Sequence, residues 1–171
     1  MKSQPAFVIS LFINMKYQID QSNKIEQTEK DTIIAVSNDI RFAIKLKAKD
    51  KRIIQEIFRS LGKPRNFVYF TFAALLAILL KGAGVSKKVI IDQEYIGHER
   101  AIIDKLMNYL KRTGVRTKTI LVEFGLLGKL SPAHILAARV ATKKLKPDKI
   151  VSLKQILRLI FPKKKDRVSA D

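Results

Sequence analysis

Polar and apolar positions change their spacing along the chain, and each spacing predicts an element. From Met15, "MKYQIDQS" sets Met15, Tyr17 and Ile19 against Lys16, Gln18 and Asp20, the two-residue period of a half-buried strand. "DTIIAVS" is apolar and β-branched. "IRFAIKLKAK" alternates again, with Ile40, Phe42, Ile44 and Leu46 on one face and Arg41, Lys45 and Lys47 mostly on the other. Between these two runs, Ser37, Asn38 and Asp39 have the composition of a tight turn. Two or three antiparallel strands therefore open the fold.

Helical spacing follows. "DKRIIQEIFRSLG" reads as a basic helix ending at Gly62. After "KPR" comes the most apolar segment, "NFVYFTFAALLAILLKG". Its uninterrupted part, Phe67 to Leu80, is shorter than the roughly 18–20 residues that span a bilayer, so a buried core helix is expected and no membrane partner. "KKVIID" is a continuous apolar run, the mark of a strand covered on both faces. "GHERAIIDKLMNYLKRTG" spaces Ile102, Ile103, Leu106, Met107 and Leu110 as a helix that stops at Gly114. "KTILVEF" is a further strand. "LSPAHILAARVATKKL" opens with Ser131 as N-cap and Pro132 at the first helical position. "VSLKQILRLIF" offers Ser152 as cap and a buried stripe of Leu153, Ile156, Leu157 and Ile160.

The expected order is thus three strands, helices, strand, helix, strand, helix, helix. The two later strands should lie parallel in the sheet centre, where ligand groups gather at the carboxyl ends of strands.

Length adds one domain to this picture: 171 residues suffice for a sizeable core. That domain is assigned to residues 15–161, with 1–14 as an N-terminal extension before a functional start at Met15, and 162–171 as a basic disordered tail. The first residues, "MKSQPAFVISLFINM", lack a small-residue cleavage site, so a cytoplasmic location is expected rather than secretion. Charge adds a partner. A net charge of +19 concentrates polyanions near the surface, which makes DNA or RNA the expected ligand. The absence of Cys excludes disulfides and thiolate metal sites. Any metal site must use Asp, Glu and His, a donor set that suits Mg²⁺ or Mn²⁺.

Two acids fall at the expected strand ends, Asp20 in "YQIDQS" and Asp92 in "KKVIID". On neighbouring strands they would converge across about 5 Å, one strand spacing. Apposed carboxylates repel, so such a pair persists where a cation lies between them. Glu94 is either a third ligand or a solvated loop acid. His98 and Glu99 open the next helix, Glu99 as a first-turn acid complementing the helix dipole. His134, two residues after Pro132, should reach the same sheet edge; the positive helix end disfavours imidazolium and leaves the ring able to bind metal or accept a proton. For phosphate contact the candidates are Lys45, Lys47, Lys49, Lys51 and Arg52 in "KLKAKDKR", the group Arg59, Lys63 and Arg65, and Lys129 in "GLLGKLSP".

On "IDQS", "VIIDQE" and "SPAH", and on the order of elements from Met15 to Leu145, the chain resembles the ribonuclease H-like nuclease superfamily. The resemblance implies an α/β fold: a mixed sheet of three antiparallel strands followed by β-α-β-α units, with helices on both faces. It implies a divalent-metal-dependent nuclease or related phosphoryl-transfer enzyme, with catalytic residues Asp20, Asp92 and His134. The metal ligands would be Asp20, Asp92, Glu94 and His134. The family usually carries a Glu on the helix after the third strand; the apolar helix here has no acid, which leaves Glu56 or Glu94 to complete the set. An incomplete site would instead imply a non-catalytic nucleic-acid-binding module on the same fold.

Overall fold

A computed structural model describes residues 16–163. The strands are β1 (Tyr17–Ser22), β2 (Thr32–Ser37), β3 (Arg41–Leu46), β4 (Val89–Asp92), β5 (Val122–Gly125) and β6 (Lys149–Val151). The helices are α1 (Ala48–Ser60), α2 (Asn66–Ala83), α3 (Glu99–Arg112), α4 (Pro132–Ala141) and α5 (Leu153–Ile160). They form an α/β structure around one six-stranded sheet of order β5-β4-β1-β2-β3-β6. β1, β2 and β3 are antiparallel neighbours; β4 pairs parallel with β1, β5 with β4, and β6 with β3.

The alternation of β1–β3 has a use on both faces. Ile19, Ile34, Val36, Ile44 and Leu46 join the large core beneath α1, α2, α3 and α5. Ile33, Ala35 and Ala43 point the other way and meet Leu136, Ala137 and Val140 of α4. Alanine on both sides of that second interface lets α4 approach the sheet closely. α2 explains its own composition: Thr71 to Leu80 are all buried, and Gly84, at φ 67°, closes the helix in the left-handed region. By length and hydropathy α2 meets the requirement for a membrane-crossing helix, although 61% of it is buried within the protein.

Several expectations need correction. A sixth strand was not foreseen. β6 is three residues long and carries no alternation, but Asp148 fastens it: its backbone N–H donates to the Ala43 carbonyl (2.8 Å) and its Oδ2 accepts from the Ala43 amide (2.7 Å). β5 is an edge strand rather than central, since β4 alone pairs with it. Asp20 is not at the strand terminus, because β1 continues through Gln21 and Ser22 opposite Ile34 and Ile33. In α5 the buried stripe also includes Leu159. The proposed extension 1–14 with its Met15 start, and the tail beyond Lys163, lie outside the described residues.

Candidate metal centre

Parallel pairing of β1 with β4 sets the geometry. Ile19 pairs with Ile91, so Asp20 and Asp92 follow one step later on adjacent strands. Because Ile19 and Ile91 face the large core, Asp20 and Asp92 face the other way, toward α4. The chain leaves β4 and brings Glu94 back to the same point. Asp20, Asp92 and Glu94 each offer a carboxylate oxygen within 4.8 Å of the others.

Each carboxylate has a holding partner. Asp20 is 3% exposed; its Oδ1 accepts from the Gln21 amide (2.6 Å) and its Oδ2 lies 2.7 Å from His134 Nδ1. Burial raises the Asp20 carboxyl above its ordinary value, and the neighbouring Asp92 charge acts in the same sense; the bonds from Gln21 and His134 oppose them. Asp92 Oδ1 accepts from the Leu127 amide (2.9 Å), which ties the β5–α4 loop to the centre. Glu94 Oε2 is paired with Lys24 Nζ at 3.1 Å.

His134 reaches Asp20 because of how α4 begins. Ser131 Oγ accepts from the His134 amide (3.1 Å), with Pro132 at the first turn, so the expected cap fixes the histidine at the sheet end of the helix. The ring bonds to Asp20 and does not belong to the close set formed by the three carboxylates.

The remaining candidates separate clearly. Glu94 joins the cluster rather than the solvent. Glu56 does not: its carboxylate is 66% exposed on α1 and pairs with Arg59. His98 is the exposed N-cap residue of α3 and stacks on Tyr69, with ring centroids 3.9 Å apart. Glu99 lies in the first turn of α3, where Gln93 Nε2 donates to it and lowers its carboxyl.

Among the basic candidates Lys51 must be withdrawn from the surface. It is fully buried, and its Nζ donates to Lys24 O (3.1 Å), Gln27 O (2.8 Å) and Thr32 Oγ1 (2.8 Å). Lys45 is half-buried beside Asp31 at 3.5 Å. Lys47, Lys49, Arg52, Arg59, Lys63, Arg65 and Lys129 are exposed, and Lys129 lies on the loop that Asp92 holds.

Two residues at the centre escape sequence reasoning. Lys24 sits in a polar loop with no periodicity. Tyr95, directly after Glu94, is buried; its hydroxyl accepts from the Ile25 amide (3.2 Å) and Gln21 Nε2 (3.2 Å) and donates to Glu26 Oε2 (3.3 Å). Burial raises its phenol well above the ordinary value. The available signal was Ile25, a single apolar residue inside "SNKIEQTEKD", which turns out to be fully buried and anchors that loop.

The donor set is all oxygen and carries three negative charges when ionised, with half-exposed Lys24 paired to Glu94 and His134 bonded to Asp20. Such a set fits a hard divalent cation, which would relieve the mutual repulsion. No protein family, curated protein or solved structure gives a match to the chain.

Proposed function

We propose that the chain is a divalent-metal-dependent nuclease, or a related phosphoryl-transfer enzyme, acting on nucleic acid. The observation that carries the reading is the convergence of Asp20 within β1, Asp92 at the end of the parallel strand β4, and Glu94 just after it, with carboxylate oxygens within 4.8 Å and His134 bonded to Asp20. The element order supports the ribonuclease H-like resemblance: antiparallel β1–β3, then β4-α3-β5-α4 with both later strands parallel to β1. The net charge of +19 supports a polyanionic substrate, and the exposed Lys47, Lys49, Arg52, Arg59, Lys63, Arg65 and Lys129 are the residues to track its phosphates.

Asp20, Asp92 and Glu94 would hold Mg²⁺ or Mn²⁺, which supplies activation of a water and charge stabilisation at the leaving oxygen. Gln21 and Leu127 amides orient the Asp20 and Asp92 carboxylates, and Tyr95 binds the loop after Glu94 to the loop after β1. His134 Nδ1 fixes the second oxygen of Asp20 and places an imidazole where a proton can be held or moved.

The test is incubation with single-stranded, duplex, hybrid and branched substrates in Mg²⁺ or Mn²⁺. Cleavage should be abolished in Asp20→Asn and Asp92→Asn; cleavage that survives both changes removes the proposed site. One observation favours a second reading, a non-catalytic nucleic-acid-binding module: neither α1 nor α2 contributes a carboxylate to the cluster. Nucleic-acid binding by the wild type without cleavage of any substrate, and unchanged in both variants, would select it.

A further inference from the structure

The loop joining β1 to β2 is braced by hydrogen bonds around Lys24, whose side chain reaches Glu94 of the cluster. Asn23 takes a left-handed backbone, φ 61°, and its side-chain amide donates to Asp31 O across the loop (2.9 Å). Thr32 Oγ1 donates to Asn23 O (2.9 Å). Ile25 is fully buried and its amide is held by Tyr95. Both backbone groups of Lys24 are engaged: its N–H donates to Gln27 Oε1 (3.0 Å), and its carbonyl accepts from buried Lys51 (3.1 Å). From this fixed backbone the Lys24 side chain, about half exposed, extends to Glu94.

A surface ion pair alone does not require such bracing, because an exposed lysine finds carboxylates without an ordered backbone. What the bracing delivers is one ammonium at a set distance from the cluster. The charge count gives that ammonium a task. Three carboxylates and one divalent cation sum to one negative charge, which repels a phosphodiester; Lys24 brings the loaded centre to neutrality.

We propose that Lys24 is the phosphate contact of this centre: it occupies Glu94 while the cluster holds no cation, and pairs with the substrate phosphate once a divalent cation has taken over Glu94. The inference rests on the metal-dependent reading above. It predicts that Lys24 opposes cation binding and promotes nucleic-acid binding, two effects that a purely structural ion pair would not combine.

Calcium serves as the probe, since it shares the divalent charge and oxygen preference. Its affinity is measured by calorimetry, and that of labelled single-stranded and duplex oligonucleotides is measured with Ca²⁺ and with chelator. In the wild type Ca²⁺ should strengthen oligonucleotide binding. Lys24→Met should bind Ca²⁺ about 2–5-fold more tightly, the scale of a released half-exposed ion pair, and lose about 10-fold of the Ca²⁺-dependent gain in oligonucleotide affinity, the scale of one charged hydrogen bond. Lys24→Arg should recover most of that gain. If Lys24→Met matches the wild type in both measurements while Asp92→Asn loses Ca²⁺, the role of Lys24 is refuted and the metal centre stands. If the wild type binds neither Ca²⁺ nor Mn²⁺, the metal reading falls and this inference with it.

Discussion

Replacing Lys51 by methionine keeps the length of a core side chain and removes a charge from the interior. The ammonium uses all three of its protons on Lys24 O, Gln27 O and Thr32 Oγ1. Burial pulls its pKa down to about 8 from the ordinary 10.5, although Glu29, Asp31 and Glu26 pull the other way. In the unfolded chain Lys51 returns to the ordinary value. Between those two values the unfolded state binds a proton that the folded state has released, so wild-type stability rises with pH across that window. The contribution is fully present above 10.5 and is lost as pH falls toward about 8. The slope is about 1.4 kcal/mol per pH unit, so the rise from pH 8 to 9.5 is about 2 kcal/mol.

Subtracting the stability of Lys51→Met from that of the wild type isolates this term, because the other titrating groups are common to both chains. Urea unfolding at pH 6, 7, 8, 9 and 9.5 measures it. The difference should be flat below pH 8 and then grow in favour of the wild type by about 2 kcal/mol. Amide exchange should quicken in residues 23–31 of the variant, where the carbonyls of Lys24 and Gln27 lose their donor. A difference that stays flat to pH 9.5 would mean that the three acceptors offset the cost of burying the ammonium, and the lowered pKa of Lys51 would be refuted.

Thr71 lies fully buried in α2 with a hydroxyl that finds no partner, so Thr71→Val should raise stability by about 1 kcal/mol in the same unfolding assay; a loss would show that the hydroxyl is satisfied. Tyr95→Phe removes the oxygen on which the Ile25 amide, Gln21 and Glu26 converge. It should cost about 1–3 kcal/mol and weaken Mn²⁺ binding at the neighbouring Glu94, whereas unchanged Mn²⁺ affinity would separate the hub from the site. Ser131→Ala deletes the cap of α4 and should cost about 1 kcal/mol; the His134 ring resonances should shift with it, since that cap is bonded to the His134 amide. Fixed resonances would mean that packing alone positions the helix.

Local spacing carried most of the fold. The two-residue alternation of β1 and β3, the apolar run of β4, the stop at Gly114 and the caps at Ser131 and Ser152 depend on near neighbours, and each appears where the pattern puts it. Asp92 and His134 stood out for the same reason, as the acid closing an apolar run and a residue beside a helix start, whereas Asp20 was singled out as a strand-end acid and lies within β1. β6 was not accessible, because three residues show no period and Asp148 holds them only through Ala43, far away in sequence.

Charge was the least informative property at the level of single residues. Lys51 and Lys47 are alike in a row of basic residues, yet one is fully buried and the other exposed. Helical phase turns Lys51 inward, and the acceptors that make its burial tolerable come from a loop more than twenty residues earlier in the chain. Glu94 and Glu56 divide in the same way: both are offered by the sequence as the acid to complete the set, but only the backbone leaving β4 returns one of them to Asp20. β6 apart, the sequence by itself determined which segments become strands and helices, because that depends on neighbours within a few positions. Only the tertiary structure decided which charges meet, because ion pairs, buried amines and metal sites form between side chains that the strand pairing brings together.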